Sequence, residues 1–281
     1  MNAAVSHEAP HTPRKRFGQN FLHDASVIAR IVRAVDPQPG ETLVEIGPGL
    51  GALTAPLLEK TGALQVIEID RDLAPRLRER FREHPGLTVH LADALRVDYR
   101  TLAPPGTRLR VVGNLPYNIS TPLLFHLLGY GETIRDMHFM LQKEVVERIV
   151  AAPGTDAYGR LSVTVAARAE ACMLFTVGAG AFRPAPKVES AVVRIVPRPA
   201  PFPVDDFGTF ERLVTAAFTK RRKQLGNALA GFLEGAEITA AGIDPRMRPE
   251  QLGAAEFAQL ANASFRRTAA GRPSADRSAD A

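Results

Sequence analysis

The residues that follow one apolar run in this sequence are of a type that can hold an amine. Residues 109–113 form the run, and Asn114, Leu115, Pro116 and Tyr117 follow it directly. The side-chain oxygen of Asn114 and a backbone oxygen of Leu115 or Pro116 can accept hydrogen bonds, and proline adds no backbone donor where acceptors are needed. Tyr117 adds a flat face on which a nucleobase can stack. These residues predict a site for the exocyclic amine of a base, although a strand-ending turn is the simpler interpretation.

The chemistry expected of such an amine is alkylation. Its nitrogen is a poor nucleophile because the lone pair is delocalised into the base ring. Acceptors that hold its protons favour a pyramidal nitrogen whose lone pair points at an electrophile. The reaction is then an in-line displacement that depends on positioning and electrostatics, with no strong general base. Asn114, Leu115, Pro116 and Tyr117 are therefore the candidate catalytic residues.

A second candidate site lies earlier, in the glycine-rich stretch "VEIGPGLGALT". Gly47, Gly49 and Gly51 separate a predicted strand from a predicted helix, so the backbone can approach a ligand closely there. Glu68 ends the second predicted strand and Asp93 the third. In an open parallel sheet these strand ends line one crevice, where Glu68 can accept from both ribose hydroxyls and Asp93 from an adenine amino group.

The glycine spacing indicates which nucleotide the crevice holds. It is G-x-G-x-G, whereas a dinucleotide-binding turn usually has G-x-G-x-x-G, and no Lys-Ser/Thr pair follows as a phosphate-binding loop requires. S-adenosylmethionine fits better, because it has no phosphates and its amino-acid end needs only a close approach of the backbone. The spacing therefore predicts S-adenosylmethionine as methyl donor and disfavours a nicotinamide-dependent dehydrogenase.

Alternating strands and helices must position these groups. The predicted strands are residues 42–47, 63–70, 87–93, 109–114 and 137–142, and the helices among them include 26–35, capped by Asp24, and 50–61. This alternation is typical of a mostly parallel sheet covered by helices. Residues 171–182 and 190–198, joined by a Pro-rich loop, predict an antiparallel hairpin at the end of the sheet. After a linker at 197–206 the pattern is helical only.

Composition narrows the class of protein. No apolar run approaches the ~20 residues that span a bilayer, and no signal peptide is evident, so a cytoplasmic protein without a membrane partner is expected. The single cysteine, Cys172, precludes an internal disulfide, and the scattered histidines predict no metal site. The sequence pI of about 9.6 suggests an anionic partner, but a general bias towards arginine and alanine also raises it.

Two local basic clusters are therefore more informative than the net charge. They are Arg14, Lys15 and Arg16, and Lys220, Arg221, Arg222 and Lys223. Lysine is scarce in this chain, yet both clusters contain it. They are candidate RNA-binding residues that would contact phosphates without regard to sequence. The alternative is an ordinary solvated tail or helix face.

A series of segments resembles one known family, in that family's order. They are "RKRFGQNFLHD", "EIGPGLGALT", "EIDRDL", "ADAL", "GNLPYNIS", "LQKEVVERIVAAPGTDAYGRLSV", "FRPAPKVESAVV" and "FTKRRKQLGNAL". The sequence is similar to the bacterial small-subunit ribosomal RNA adenine-N6,N6-dimethyltransferases, from about residue 14 to residue 265. No departure from the family pattern is evident at the donor or acceptor positions.

The resemblance implies a domain organisation and a set of site residues. It implies an α/β, Rossmann-like methyltransferase domain at 14–199 with an antiparallel last strand and a small all-helical RNA-binding domain at 205–267. The tails at 1–13 and 268–281 lie outside the family pattern, and their polar composition predicts disorder. The residues implied for the donor are Asn20, Leu22, Gly47, Glu68, Asp93 and Asn114, and those implied for the two faces of the target adenine are Tyr117 and Phe182. Phe21 is assigned to the core, and Phe182 to the site because Pro184 and Pro186 predict a loop there.

The activity implied is dimethylation of two adjacent adenines in a hairpin near the 3′ end of 16S rRNA, on an immature small subunit, with a role in subunit biogenesis. A monomer is expected because the sequence shows no heptads or other association signal. The nearest alternative is a large-subunit rRNA adenine dimethyltransferase of the antibiotic-resistance type. A mainly non-catalytic ribosome assembly factor is a third, and the intact donor crevice argues against it. A DNA adenine methyltransferase is disfavoured because no further target-recognition domain is evident.

Overall fold

The computed structural model describes residues 19–270. The strands are β1 (Phe21–Leu22), β2 (Leu43–Ile46), β3 (Leu64–Glu68), β4 (Leu87–Leu91), β5 (Leu109–Asn114), β6 (Ile134–Gln142), β7 (Ala169–Val177), β8 (Phe182–Arg183) and β9 (Ser190–Pro197). The helices are α1 (Ala25–Val35), α2 (Thr54–Thr61), α3 (Leu73–Arg80), α4 (Ser120–Leu128), α5 (Lys143–Val150), α6 (Arg160–Ala166), α7 (Phe207–Thr219), α8 (Leu225–Ala228), α9 (Gly235–Ala240) and α10 (Ala254–Ala270).

Within the described residues, seven strands form one sheet in the order β4-β3-β2-β5-β6-β9-β7. β2 is parallel to both β3 and β5, and β3 is parallel to β4. The N–H of Leu115 donates to the carbonyl of Met140 at 3.1 Å, so β5 and β6 end at the same edge. The N–H of Arg198 donates to the carbonyl of Arg168 at 2.9 Å, which places the end of β9 beside the start of β7. The predicted mostly parallel sheet with an antiparallel hairpin is confirmed.

The central strands are buried along their length without alternation, as expected where both faces of a sheet are covered. All of β2 is buried, as are the first five residues of β5. Asp24 caps α1 as predicted, because its carboxylate accepts from the N–H groups of Ser26 at 2.8 Å and Val27 at 3.0 Å. α2 begins at Thr54, later than the predicted residue 50, because the preceding residues form the glycine-rich turn.

A separate two-stranded sheet pairs β1 with β8 in antiparallel fashion. Leu22 pairs with Phe182, and Phe21 pairs with Arg183. The prediction of a loop at Phe182 is therefore wrong. Two prolines follow closely, but they do not prevent Phe182 from pairing. The strand ends after Arg183 because Pro184 has no backbone N–H to donate.

The chain divides into two compact units. The first extends to residue 126 and includes 138–142 and 175–192, and the second consists of 127–137, 143–174 and the chain from residue 193 onward. The predicted domain boundaries at 14–199 and 205–267 stay a prediction. Residues 1–18 and 271–281, which include most of both predicted tails, lie outside the described residues.

The second unit has its own apolar core, to which Phe210, Leu213 and Phe257 contribute fully buried side chains. The predicted linker belongs to this unit and packs onto it. The side chain of Asn262 donates to the carbonyl of Pro203 at 3.0 Å and accepts from the N–H of Asp205 at 2.8 Å. The Pro-rich composition therefore produces a tethered segment here, because one side chain, that of Asn262, pairs with two backbone groups of the bend.

Two predictions for the C-terminal part need correction. The helical pattern at 206–233 is interrupted, with α7 ending at Thr219 and α8 beginning at Leu225. α10 continues to Ala270, so residues 268–270 are helical although they were expected in the tail. Across residues 19–270, no helix is both long enough and apolar enough to cross a membrane.

Candidate active site

The first unit contains a cavity at the carboxyl ends of its parallel strands. It is an open crevice that contains about 970 Å³ of free space, including the solvent at its mouth. The predicted site residues that line it are Asn20, Leu22, Gly47, Glu68, Asp93, Asn114, Leu115, Pro116 and Tyr117. The structure thus brings together both candidate sites, the nucleotide crevice and the amine-holding loop.

The glycine-rich turn forms one wall of this cavity. Gly47 and Gly49 have φ angles of 66° and 57°, in the left-handed region that favours glycine. A Cβ on Gly49 would lie only 3.0 Å from the ring of Phe21. The turn therefore presents bare backbone to the cavity at Gly47 and packs closely against the ring of Phe21 at Gly49.

Glu68 joins the end of β3 to this turn. One carboxylate oxygen accepts from the N–H of Asp70 at 2.8 Å, and the other accepts from the N–H of Gly49 at 3.4 Å. Burial raises the pKa of Glu68, and the two backbone hydrogen bonds oppose that rise. Each oxygen keeps a further lone pair, so the carboxylate can accept from two neighbouring hydroxyls.

Asp93 lies two residues beyond the end of β4. The N–H of Ala92 donates to the carbonyl of Glu68 at 3.0 Å, which continues the pairing of β4 with β3 up to the cavity. One oxygen of Asp93 accepts from the N–H of Leu95 at 3.0 Å, and the other lies 3.7 Å from Nε of Arg96. The carboxylate is held in place at the rim and retains acceptor capacity for an amino group.

The orientation of the Asn114 amide is set by its neighbour across the cavity. Nδ2 of Asn114 donates to the backbone carbonyl of Asn20 at 3.0 Å. Because the amino side of the amide is engaged, Oδ1 is the side that remains to accept from a ligand. In the same loop the carbonyl of Pro116 accepts from the N–H of Ile119 at 3.2 Å. Of the two backbone acceptors considered, the carbonyl of Leu115 is therefore the better candidate.

Two hydrogen bonds hold Tyr117, one at its side-chain hydroxyl and one at its backbone carbonyl. Its hydroxyl lies 2.9 Å from Oγ of Ser190, and its carbonyl accepts from Oγ of Ser120 at 3.1 Å. Tyr117 lines the same cavity as Asn114. Nothing in the sequence pattern indicated Ser190, because its partner lies 73 residues away.

The structure contradicts the assignment of Phe21 to the core, and it buries Phe182, whose role at the target adenine stays a prediction. Phe182 does not line the cavity, and its side chain is only 2% exposed. Phe21, which was assigned to the core, lines the cavity and is half-buried. The pairing of β1 with β8 explains both positions. Phe182 lies opposite buried Leu22 on one face of the pair, and Phe21 lies opposite exposed Arg183 on the other face.

Glu45 is a cavity residue that the sequence analysis missed. It lies within β2, is 2% exposed, and accepts from Oγ1 of Thr54 at 2.6 Å. Burial raises the pKa of Glu45 to about 8, and the nearby carboxylate of Glu68 adds to the rise. The available signal was an acidic residue inside an otherwise apolar strand.

The basic cluster at 220–223 follows the end of α7 and divides into two parts. Arg221 is engaged within its own unit, since Nε lies 3.5 Å from the carboxylate of Glu250 and Nη1 donates to the carbonyl of Asp156 at 3.0 Å. Arg222 and Lys223 are exposed, as is Lys220. The other predicted cluster, Arg14, Lys15 and Arg16, lies outside the described residues.

Between residues 19 and 270, no group of three or more His, Cys, Asp or Glu side chains is arranged to hold a metal ion.

A crevice of this form, with a glycine-rich turn, strand-end acids and an acceptor loop facing it, defines a methyltransferase. A family model described as "Ribosomal RNA adenine dimethylase" matches residues 10–264. Among curated proteins, "Ribosomal RNA small subunit methyltransferase A" of Acinetobacter baylyi is 55% identical over 93% of this chain and 96% of its own length. The protein of the same name from Nitrosococcus oceani is 56% identical over 89% of this chain and 95% of its own length.

Solved structures agree on the fold. A dimethyladenosine transferase from Plasmodium falciparum superposes with a TM-score of 0.69 at 23% identity, covering 85% of this chain and 95% of that one. The 23S rRNA methyltransferase ErmE superposes with a TM-score of 0.66 at 27% identity, covering 88% of this chain and 100% of that one. The chain is a methyltransferase of the ribosomal RNA adenine dimethylase family.

Proposed function

We propose that this protein transfers methyl groups from S-adenosylmethionine to the N6 amines of two adjacent adenines, in a hairpin near the 3′ end of 16S rRNA, giving N6,N6-dimethyladenosines. The observation that carries the proposal is the fixed orientation of the Asn114 amide, which leaves Oδ1 as an acceptor within the nucleotide cavity. The choice of small-subunit RNA is supported by the names of relatives at 55% and 56% identity.

The residues present fit S-adenosylmethionine. Glu68 offers two carboxylate oxygens for the ribose hydroxyls, and Asp93 offers an acceptor for the adenine amino group. The backbone at Gly47 gives the close approach that the methionine portion needs, with Asn20 and Leu22 completing the wall. When bound, the donor supplies an electrophilic methyl group.

The acceptor loop would act on the target amine through hydrogen bonds. Oδ1 of Asn114 and the carbonyl of Leu115 accept from N6, which orients the nitrogen lone pair and stabilises the positive charge that develops there. The displaced proton leaves to solvent, so no buried base is needed. Tyr117 supplies a stacking face for the flipped base, an interaction worth roughly 1–3 kcal/mol. The buried position of Phe182 leaves its proposed stacking role dependent on a rearrangement of β8.

Binding of the RNA would depend on exposed cations. Lys220, Arg222 and Lys223 are exposed and suited to phosphate contacts, whereas Arg221 stabilises its own unit. The cluster at residues 14–16 would add to these contacts. We further propose a monomeric, cytoplasmic enzyme that acts on an immature small subunit during biogenesis, with catalysis in residues 14–199 and RNA binding in residues 205–267.

The test is methyl transfer from labelled S-adenosylmethionine to small ribosomal subunits that lack the modification, followed by nucleoside mass spectrometry. Asn114→Ala is expected to abolish N6,N6-dimethyladenosine formation, and Asn118→Ala, an exposed amide in the same loop, is the matched control that should retain it. Dimethylation of free large-subunit rRNA instead would place the protein in the antibiotic-resistance branch. Binding of subunits with no transfer by the wild-type protein would indicate an assembly factor.

A further inference from the structure

A buried hydroxyl contact joins the acceptor loop to the start of β9. Oγ of Ser190 lies 2.9 Å from the hydroxyl of Tyr117, and Ser190 is only 1% exposed. A polar atom so deeply buried normally has a partner, because an unsatisfied hydroxyl costs free energy. The contact therefore satisfies Ser190 and, at the same time, fixes the far end of the tyrosine ring.

The other contacts of this loop act on its backbone. The carbonyl of Tyr117 accepts from Ser120, and the carbonyl of Pro116 accepts from Ile119. These bonds hold the Cα of Tyr117 but leave rotation about its side-chain torsions unrestricted. Of the hydrogen bonds described for residues 19–270, the one to Ser190 is the bond that selects a single orientation of the ring.

We propose that Ser190 is a positioning residue, which holds the ring of Tyr117 in the orientation that receives the target adenine. This inference rests on the proposed function, since it assumes that the ring stacks on a base. The ring is then ordered before the RNA binds, so the entropy cost of ordering it does not add to the activation free energy. Without the serine hydroxyl, the half-buried tyrosine can turn its own hydroxyl to water, so the fold is retained while the stacking face is lost.

A double-mutant cycle tests the proposal. Ser190→Ala and Tyr117→Phe each remove one side of the same hydrogen bond, and each is expected to lower kcat/KM for the RNA about fivefold, or about 1 kcal/mol. The double variant should also lose about fivefold, because the bond can be removed only once. A multiplicative loss of about 25-fold would show that the two hydroxyls act independently and would overturn the proposal.

Two further measurements separate positioning from loss of structure. The dissociation constant for the methyl donor should not change in Ser190→Ala, because Ser190 does not line the donor cavity. Ser264→Ala removes another buried hydroxyl, which donates to the carbonyl of Phe232 at 3.2 Å in the other unit, and should leave kcat/KM at the wild-type value. A loss with Ser264→Ala equal to that with Ser190→Ala would assign the effect to stability and contradict the proposal.

A spectroscopic readout reports the stacking directly. Hairpin RNA with 2-aminopurine at the target position should lose fluorescence on binding the wild-type protein, and the quenching at saturating protein should be smaller with Ser190→Ala. Equal quenching would contradict the proposal. If the wild-type protein modifies large-subunit RNA and not small subunits, the proposed substrate is wrong, but the same cycle on that RNA still decides the role of Ser190.

Discussion

The substitution Glu45→Gln is expected to remove a strong pH dependence of stability. Burial raises the pKa of Glu45 from 4.5 to about 8 in the folded protein. Between those values the folded protein keeps a proton that the unfolded chain has lost, so stability falls as pH rises. The slope is about 1.4 kcal/mol per pH unit, and the loss is complete above the folded-state pKa. Glutamine stays neutral at every pH and can still pair with Thr54.

The magnitude follows from the interval between the two pKa values. The free energy of unfolding of Glu45→Gln, relative to wild type, should increase steadily from pH 5 to pH 8, by at most about 5 kcal/mol. Urea denaturation at several pH values measures this difference, and comparing the two proteins cancels the contributions of groups that both contain. Glu59→Gln, on the exposed side of α2, is the control and should follow the wild-type profile. A constant difference between Glu45→Gln and wild type across this range would refute the reasoning.

Three other perturbations have defined outcomes. Gly49→Ala places a Cβ against an aromatic ring in a left-handed backbone conformation, so the affinity for the methyl donor, measured by calorimetry, should fall. Gly62→Ala, at φ 75° with open space around it, should lower only the stability, by about 1–2 kcal/mol. Equal donor affinity in the two variants would contradict this. Replacing Arg222 and Lys223 together by alanine should reduce the salt slope of RNA binding by about 1–2, and an unchanged slope would exclude phosphate contacts. Arg221→Ala should instead lower the melting temperature, because it breaks the ion pair with Glu250; an unchanged melting temperature with a reduced salt slope would reverse the assignment.

The parts of this fold that were predictable are those with local signals. Apolar runs ending in Gly47, Glu68 and Asn114 located three central strands to within a few residues, and the parallel arrangement then placed those residues at one edge. The relation between Phe21 and Phe182 was not predictable, because β1 and β8 are two residues long and pair across more than 150 positions. A strand of two residues is too short to show the alternating hydrophobic pattern by which strands are predicted.

Charged residues showed a second limit of sequence patterns. The cluster at 220–223 looks uniform in sequence, yet Arg221 serves its own unit while Arg222 is exposed. Glu45 was overlooked for the opposite reason, since a single acid inside a buried strand carries no repeating pattern. In each case the role depends on a distant partner, Glu250 or Thr54 in these examples, and such partners become visible only once the chain is folded.

The hydrogen bond that orients the Asn114 amide ends on a backbone carbonyl, that of Asn20. No side-chain substitution at position 20 removes that carbonyl, so an alanine scan would miss its contribution altogether. The orientation of the Asn114 amide is thus insensitive to side-chain substitutions at position 20, and sensitive to any insertion or deletion that shifts the register of the adjoining strand β1. Under the proposed function, position 20 has two separable roles, one of its side chain at the methyl donor and one of its main chain, and selection can vary the first while the second is inherited with the path of the backbone.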